Sequence, residues 1–223
     1  MTLTVASWPW GLNVQRLAVT VILPSAKMEQ ADAEAIAAVL AGSVNRYAEL
    51  VDRYQGLVFR LAVSLLGNSE DAKDASQEAF VSAYSCLGRF RGQAKFSTWL
   101  YRIVVNECYD AMRRRRHQPA VMTTLPQWSD DSEEPIFLDL NDEKADPSQQ
   151  MSNKELAQGL SNAIGKLPMK QRTVFVLHHL HGMTLAEVAE VAHCRLGTVK
   201  AHLFRATASL RLELAPWLNE EAH

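Results

Sequence analysis

The sequence predicts an all-α fold: two small helical domains joined by an acidic, flexible linker, the second domain containing a helix-turn-helix. Three observations carry that expectation. Apolar residues recur with a 3.6-residue period in segment after segment, and strand-type alternation is scarce. Glycine and proline are sparse, at 10 and 8 in 223 residues, while 48% of the chain is hydrophobic, enough to fill packed cores. Residues 117–150 break the pattern. They hold eight acids against Lys144, a net −7, with Pro119, Pro126, Pro135 and Pro147 and no sustained periodicity. Such a run is too long for a loop inside a compact domain, so the domain boundary falls there.

Taken in order, residues 1–27 stand apart. Trp8, Pro9, Trp10 and Gly11 sit in a stretch without clear period, and Met28 opens a different kind of sequence. Two readings stand: an upstream translation artefact before a native start at Met28, or a genuine flexible arm. Intact mass of the native protein separates them. Leu17–Leu23 is apolar but interrupted by Thr20, and it fits a secretory signal poorly. No apolar run approaches the roughly 20 residues of a membrane helix.

Asp32 can cap a short helix over Ala33–Ala41, closed by Gly42. A long amphipathic helix follows over Asn45–Leu66. Its apolar stripe is Tyr47, Leu50, Val51, Tyr54, Leu57, Val58, Leu61 and Leu65, and Gly67 stops it. Ser69 can cap the next helix, which runs to Leu87 and buries Ala72, Ala75, Ala79, Phe80, Ala83 and Leu87. A loop with Arg89, Arg91, Gly92 and Lys95 leads to a fourth helix, Ser97–Arg114. Leu100, Val104, Cys108 and Ala111 face the core, and Arg102, Asn106, Tyr109 and Arg113 share another stripe.

Beyond the linker, Ser152 and Glu155 form a capping box for a helix that uses Leu156, Leu160, Ala163, Ile164 and Leu167. Pro168 opens a helix over Met169–Leu180, and Gly182 ends it. Thr184 and Glu187 form a second capping box before Leu185–Ala192. A turn at His193–Cys194 leads to a last helix from Leu196 or Gly197 to Leu214.

The formal net charge of −2 appears to argue against nucleic acid, but its distribution reverses that. Residues 88–116 hold eight Lys/Arg against Glu107 and Asp110, and residues 193–211 hold Arg195, Lys200, Arg205 and Arg211 with no acid. Clustered cations are the footprint of phosphate binding. Cys86, Cys108 and Cys194 are scattered without CxxC spacing, which fits a reducing cytoplasm. No P-loop, dinucleotide glycine motif or zinc-protease motif is present, so no enzyme chemistry, catalytic residue or cofactor is expected.

Two stretches carry the binding chemistry. In Phe90–Asn106, running on to Arg113–Arg116, Arg91, Lys95 and Arg102 alternate with Phe90, Phe96, Trp99 and Tyr101. Cations interleaved with aromatics suit a surface that holds phosphates and stacks unpaired bases. Residues 184–207 have helix-turn-helix spacing. Ala189 is small where a neighbour crosses closely, and Val188, Val199 and Leu203 fill the wedge between the helices. Lys200, Ala201, Phe204 and Arg205 then point outward near the start of the second helix, the part that enters a major groove. A solvated basic helix in an ordinary bundle has the same pattern. His178, His179, His181, His193 and Cys194 invite a metal reading, but they lack CxxC and HxxxH spacing, and no metal site is expected.

Four segments together resemble a known family: DAKDASQEAFVSAY (Asp71–Tyr84), FRGQAKFSTWLYRIVVN (Phe90–Asn106), LPMKQR (Leu167–Arg172) and GMTLAEVAEVAHCRLGTVKAHLFRA (Gly182–Ala206). In order and spacing they resemble the extracytoplasmic-function (group IV) sigma factors of bacterial RNA polymerase, over residues 30–213. The resemblance implies a sigma region 2 domain over 28–116 and a region 4 domain over 151–223. It implies that Asp71–Leu87 docks on the coiled coil of the polymerase largest subunit through Asp74, Gln77, Glu78 and Phe80. Phe90–Asn106 would melt the minus-ten element and capture a flipped base, using Phe90, Arg91, Lys95, Trp99, Arg102, Asn106 and Arg113. Lys200, Ala201 and Phe204 would read the minus-thirty-five element. Thr198, His202 and Arg205 would hold phosphates, with His202 standing where many members carry Arg.

The partners so implied are core polymerase, with its flap, promoter DNA and an anti-sigma factor that responds to envelope or oxidative stress, without membrane insertion. The linker would thread the polymerase RNA-exit and active-site clefts; its residues alone describe a solubilising tether. Two other functions stay open at this point. A conventional helix-turn-helix regulator of duplex operators leaves Phe90–Asn106 unexplained, and a metalloprotein would need the histidine cluster.

Overall fold

In the computed structural model, residues 26–117 and 147–215 are described, and every regular element among them is helical. Nearly all of the N-terminal extension and of the acidic linker lies outside the described residues.

The first unit is α1 (Ala26–Leu40), α2 (Tyr47–Leu66), α3 (Ser69–Cys86) and α4 (Phe96–His117). α2 is its centre because its sequence is the most amphipathic. Leu50, Tyr54, Leu57, Val58, Leu61 and Leu65 are all buried, and Tyr47 and Val51 lie half-buried at the stripe's edge. The helix stops at Gly67, whose left-handed φ of 80° lets its N–H close on Val63 O. Against α2 lies the alanine face of α3, Ala72, Ala75, Ala79 and Ala83, all buried. Small side chains let the two helix backbones approach closely, and α4 packs across both through Leu100, Val104 and Cys108.

Three local expectations need correction. Asp32 does not cap a helix; it lies inside α1, buried, where its carboxylate pairs with Arg53 and accepts from the Tyr54 hydroxyl at 2.6 Å. α3 is capped by Asn68 rather than Ser69: the Asn68 side chain accepts from the Asp71 N–H at 2.7 Å. Ser152 lies inside α5, which begins at Pro147, a proline suited to a first helical turn.

The second unit is α5 (Pro147–Lys166), α6 (Met169–Phe175), α7 (Leu185–Val191) and α8 (Leu196–Glu213). α6 does not continue as an α-helix to Leu180; Val176–Leu180 widens into a π turn. The capping box at α7 forms as expected, with Glu187 N–H donating to Thr184 Oγ1 at 3.2 Å and Thr184 N–H to Glu187 Oε2 at 2.8 Å. His193 takes a left-handed φ of 48° in the turn, and Val188 and Val199 are buried in the wedge between α7 and α8, with Leu203 half-buried.

The two units also pack on each other. α2 touches α5, α6 and the π turn, and α4 touches α7. Arg172 on α6 donates to Leu65 O of α2 at 2.6 Å, and Tyr109 OH on α4 donates to Thr173 Oγ1 at 3.1 Å. Among the described residues no helix is long and apolar enough to cross a membrane.

Candidate nucleic-acid interface

The loop before α4 hangs on an aromatic wall. Phe96 is buried edge-on against Tyr54 at 5.4 Å between ring centroids. Phe90 meets Phe96 at 5.8 Å and Trp99 at 5.3 Å, and Trp99 leans on Phe96 at 5.6 Å. The hydrogen bond from Tyr54 to Asp32 pins the wall from behind; burial raises the Tyr54 hydroxyl's pKa, and Asp32 raises it further, so it stays a donor. Phe90 and Trp99 are half-exposed and keep ring surface for a base. Gly92 takes the left-handed φ of 68° that the loop turn needs. Arg91 and Lys95 are exposed. Lys95 Nζ sits 3.0 Å from Glu29 Oε1, and both side chains are open to water, so this ion pair is weak enough to exchange for a phosphate.

On α4, Asn106 and Arg113 are exposed and Arg102 is half-buried. Arg113 pairs with Asp110, its neighbour one turn back. Tyr109 shares their stripe but is turned to the other unit, where its hydroxyl meets Thr173.

α8 presents the second surface. Thr198, Lys200, Ala201, Phe204 and Arg205 are all exposed, Phe204 at 76%. An aromatic ring so open to water in the middle of a basic face suits contact with a base edge rather than a core. His202 fits its expected phosphate contact less well. It is half-buried, its Nδ1 has no hydrogen-bond partner, and its pKa is lowered by desolvation first and then by Arg205 and Lys170. A neutral imidazole is a poor anion clamp.

On α3, Asp74, Gln77 and Glu78 are exposed, and Phe80 is half-buried with its carbonyl accepting from Tyr47 OH at 2.7 Å. Gln77 and Phe80 line a groove of about 760 Å³ together with Val51, Phe59 and Lys73.

His178 and His181 serve the fold. His178 Nδ1 lies 2.8 Å from Met183 O, bracing the turn into α7. His181 is buried edge-on against Tyr101, its Nδ1 3.3 Å from the hydroxyl. Among the described residues no group of three or more His, Cys, Asp or Glu could hold a metal ion. Burial, and secondarily Arg60, pushes the pKa of His181 down to about 3. The folded chain therefore binds fewer protons than the unfolded one, in which histidine titrates near 6.5. The stability due to neutral His181 is full above pH 6.5. It falls as pH drops below that, by about 1.4 kcal/mol per unit, and levels off below about pH 3. Urea unfolding at pH 7 and pH 5 should show this loss, and His181→Phe should flatten it.

The sequence reading missed Glu29, Arg60, the anchoring role of Asp32 and the role of Arg172. Arg172 stood within a quoted motif, but nothing local announces that its partner is a carbonyl 107 residues earlier.

Known proteins match both units. The family described as Sigma-70 region 2 matches residues 50–118, and that described as Sigma-70, region 4 matches residues 157–210. The RNA polymerase sigma-H factor of Pseudomonas aeruginosa is 30% identical over 195 residues, 86% of this chain and 98% of that protein. The ECF RNA polymerase sigma factor SigW of Bacillus subtilis is 32% identical, over 84% of this chain and 98% of that protein. Among solved structures, CnrH in complex with the cytosolic domain of CnrY matches with a TM-score of 0.57 at 24% identity, over 83% of this chain and 98% of that one. RpoE of Bartonella quintana, in complex with the anti-sigma factor NepR, matches with a TM-score of 0.55 at 20% identity, over 76% and 96%. These two likenesses are of fold.

Proposed function

The chain belongs to the extracytoplasmic-function sigma factors of bacterial RNA polymerase, and from that premise we propose how its residues divide the work. It binds core polymerase, recognises two promoter elements and helps to open the first, directing transcription of a stress-response regulon. The observation that carries this reading is the pairing of two cationic and aromatic surfaces in one chain: exposed Arg91, Lys95, Asn106 and Arg113 beside half-exposed Phe90 and Trp99 on the first unit, and exposed Thr198, Lys200, Phe204 and Arg205 on the second. A regulator that binds only closed duplex has use for the second surface and none for the first.

In this reading Asp74, Gln77, Glu78 and Phe80 dock on the polymerase largest subunit, and the groove beside Gln77 and Phe80 extends that face. Arg91, Lys95, Arg102 and Arg113 hold the strand phosphates of the minus-ten element, while Phe90 and Trp99 support unstacked bases beside Asn106. Opening a base costs a few kcal/mol of stacking and pairing, which these contacts offset. On α8, Lys200, Ala201 and Phe204 read the minus-thirty-five element, and Thr198 and Arg205 hold its backbone; the neutral His202 adds little. We assign region 2 to the first unit and region 4 to the second, whose α5 starts at Pro147, inside the run 117–150 expected as linker. The chain works in the cytoplasm and performs no covalent chemistry. An anti-sigma factor that shuts it off is the partner that membership of this family supports.

Run-off transcription tests the proposal: purified chain with core polymerase on a genomic library should yield discrete start sites absent with core alone. Tight operator binding by the isolated chain, with no polymerase-dependent transcript, would transfer the protein to the regulators. Within this reading, Lys200→Ala should weaken discrimination at the minus-thirty-five element by about 1–3 kcal/mol. Competition between promoter variants measures it, and an unchanged promoter profile would remove Lys200 from the reading set.

A further inference from the structure

We propose that Gly197 sets the depth of the minus-thirty-five contact: it is left bare so that the leading end of α8 can seat fully in the major groove. This rests on the sigma-factor reading above and adds to it a residue that it did not use.

The first ground is that the fold itself gives no reason for a glycine here. Gly92 and Gly182 take left-handed φ values of 68° and 63°, where a side chain is strained. Gly197 does not; it is a helical residue in the first turn of α8, without positive φ. Nor does it make room for a neighbour. A Cβ built on Gly197 meets nothing within 4 Å among the described residues, whereas one on Gly56 meets Arg60 Nη1 at 3.6 Å. Glycine in a helix is less stable than alanine, because its unfolded chain has more freedom to lose. Folding alone would therefore favour alanine at this exposed position.

The second ground is where the bare spot lies. At 100° per residue, Phe204 falls about 20° from Gly197 around α8, Ala201 about 40° and Lys200 about 60°. These three are the exposed residues assigned to the bases. Thr198 and Arg205, assigned to the backbone, lie together about 80–100° away on one flank. Gly197 thus heads the base-reading face, nearest the start of the helix, the end of a recognition helix whose residues meet base edges.

The third ground is fit. The major groove is about 12 Å wide and a helix with its side chains is about 10–12 Å across, so there is little slack. A Cβ at the tip adds one carbon–carbon bond, about 1.5 Å. Moving α8 outward by that much stretches a base hydrogen bond of about 2.9 Å well beyond its working range. Lys200, a charged donor, has the most to lose.

The test uses the full-length chain with core polymerase on a promoter recovered by run-off transcription, beside the same promoter with its minus-thirty-five element scrambled. Gly197→Ala should melt about 1–4 °C above the unaltered chain. It should nonetheless initiate about tenfold less on the intact promoter at limiting holoenzyme, the worth of one weakened charge-assisted bond. Its affinity for core polymerase, read by fluorescence anisotropy, should not change. Gly197→Leu has a longer side chain and good helix propensity, and should lose more while keeping its helicity. A gain in stability joined to a loss in promoter recognition is not what a merely structural glycine gives. Equal initiation by Gly197→Ala and the unaltered chain overturns the proposal. So does a fall in core affinity that matches the loss of initiation, which would place Gly197 against the polymerase instead. If the unaltered chain does not distinguish the intact promoter from the scrambled one, the reading of α8 itself falls, a result distinct from failure at Gly197 alone.

Discussion

Replacing Arg172 with alanine is expected to cost about 3–5 kcal/mol of unfolding free energy, a large share of the margin of a chain this size. The side chain is 5% exposed and serves three carbonyls. Nη1 donates to Leu65 O at 2.6 Å, and Nη2 donates to Leu167 O at 3.2 Å and to Gly165 O. Leu65 and Gly165 lie in the last turns of α2 and α5, where carbonyls have no partner within their own helix. Arg172 therefore caps two helices from different units at once, and its positive charge sits where both helix dipoles favour a cation. Burial lowers its pKa only to about 10, so it stays charged at neutral pH. Alanine leaves three carbonyls unpaired in a site closed to water, each costing about 1–3 kcal/mol before partial relaxation. Lysine should recover little, because one ammonium cannot reproduce the guanidinium fork. Urea denaturation monitored by helicity measures the loss. A cost below about 1 kcal/mol would mean that water reaches the carbonyls and that the capping account is wrong.

Arg172 also shows where reading the chain runs out. What depends on local pattern was legible: the buried stripe of α2, the alanine face of α3, the Thr184–Glu187 box and the Val188–Val199 wedge follow from period and spacing alone. Asn68 and Ser69 are both good capping residues, and spacing cannot choose between neighbours; the structure chose Asn68. Asp32 was misread for a related reason. Aspartate near an apparent helix start looks like a cap, and the partners that make it a buried anchor, Arg53 and Tyr54, lie more than 20 residues on. The π turn at Val176–Leu180 has no sequence signature, and it carries the histidines into the turn that a metal reading had to explain.

Asn106 and Arg113 on α4 and Thr198, Lys200, Ala201, Phe204 and Arg205 on α8 face outward because helical period decides which way a side chain points, while Trp99, Arg102 and His202 lie half-buried. Tyr109 is the informative exception. Periodicity puts it on the same stripe as Asn106, and that geometry holds. A second unit, separated by a linker with no pattern of its own, determines what Tyr109 touches. Contacts between units depend on surface fit across long sequence separation, and one sequence carries almost no local trace of that.

The second large effect is expected at Asn106. Changing it to aspartate should slow promoter opening about a hundredfold while core-polymerase affinity stays within about twofold. Asn106 is exposed on α4, in a segment with six more cations than acids. Aspartate has nearly the same shape and a similar helix propensity, so α4 should be undisturbed. Two things change. The amide donor is lost, worth about 1–3 kcal/mol if it bonds to a captured base. A negative charge also enters the face that must hold strand phosphates, adding about 1 kcal/mol of repulsion at that exposed site. Together they give roughly the hundredfold effect, at 1.4 kcal/mol per factor of ten. Asn106→Ala loses only the first contribution and should lie nearer tenfold, so the order of the two variants separates charge from hydrogen bonding. Permanganate reactivity of unpaired thymines reports opening, and fluorescence anisotropy with core polymerase reports docking. If docking fell in step with opening, Asn106 would belong to the polymerase contact. If aspartate and alanine behaved alike, no phosphate would lie near α4 at this turn, and the strand would have to follow the Arg91–Lys95 loop instead.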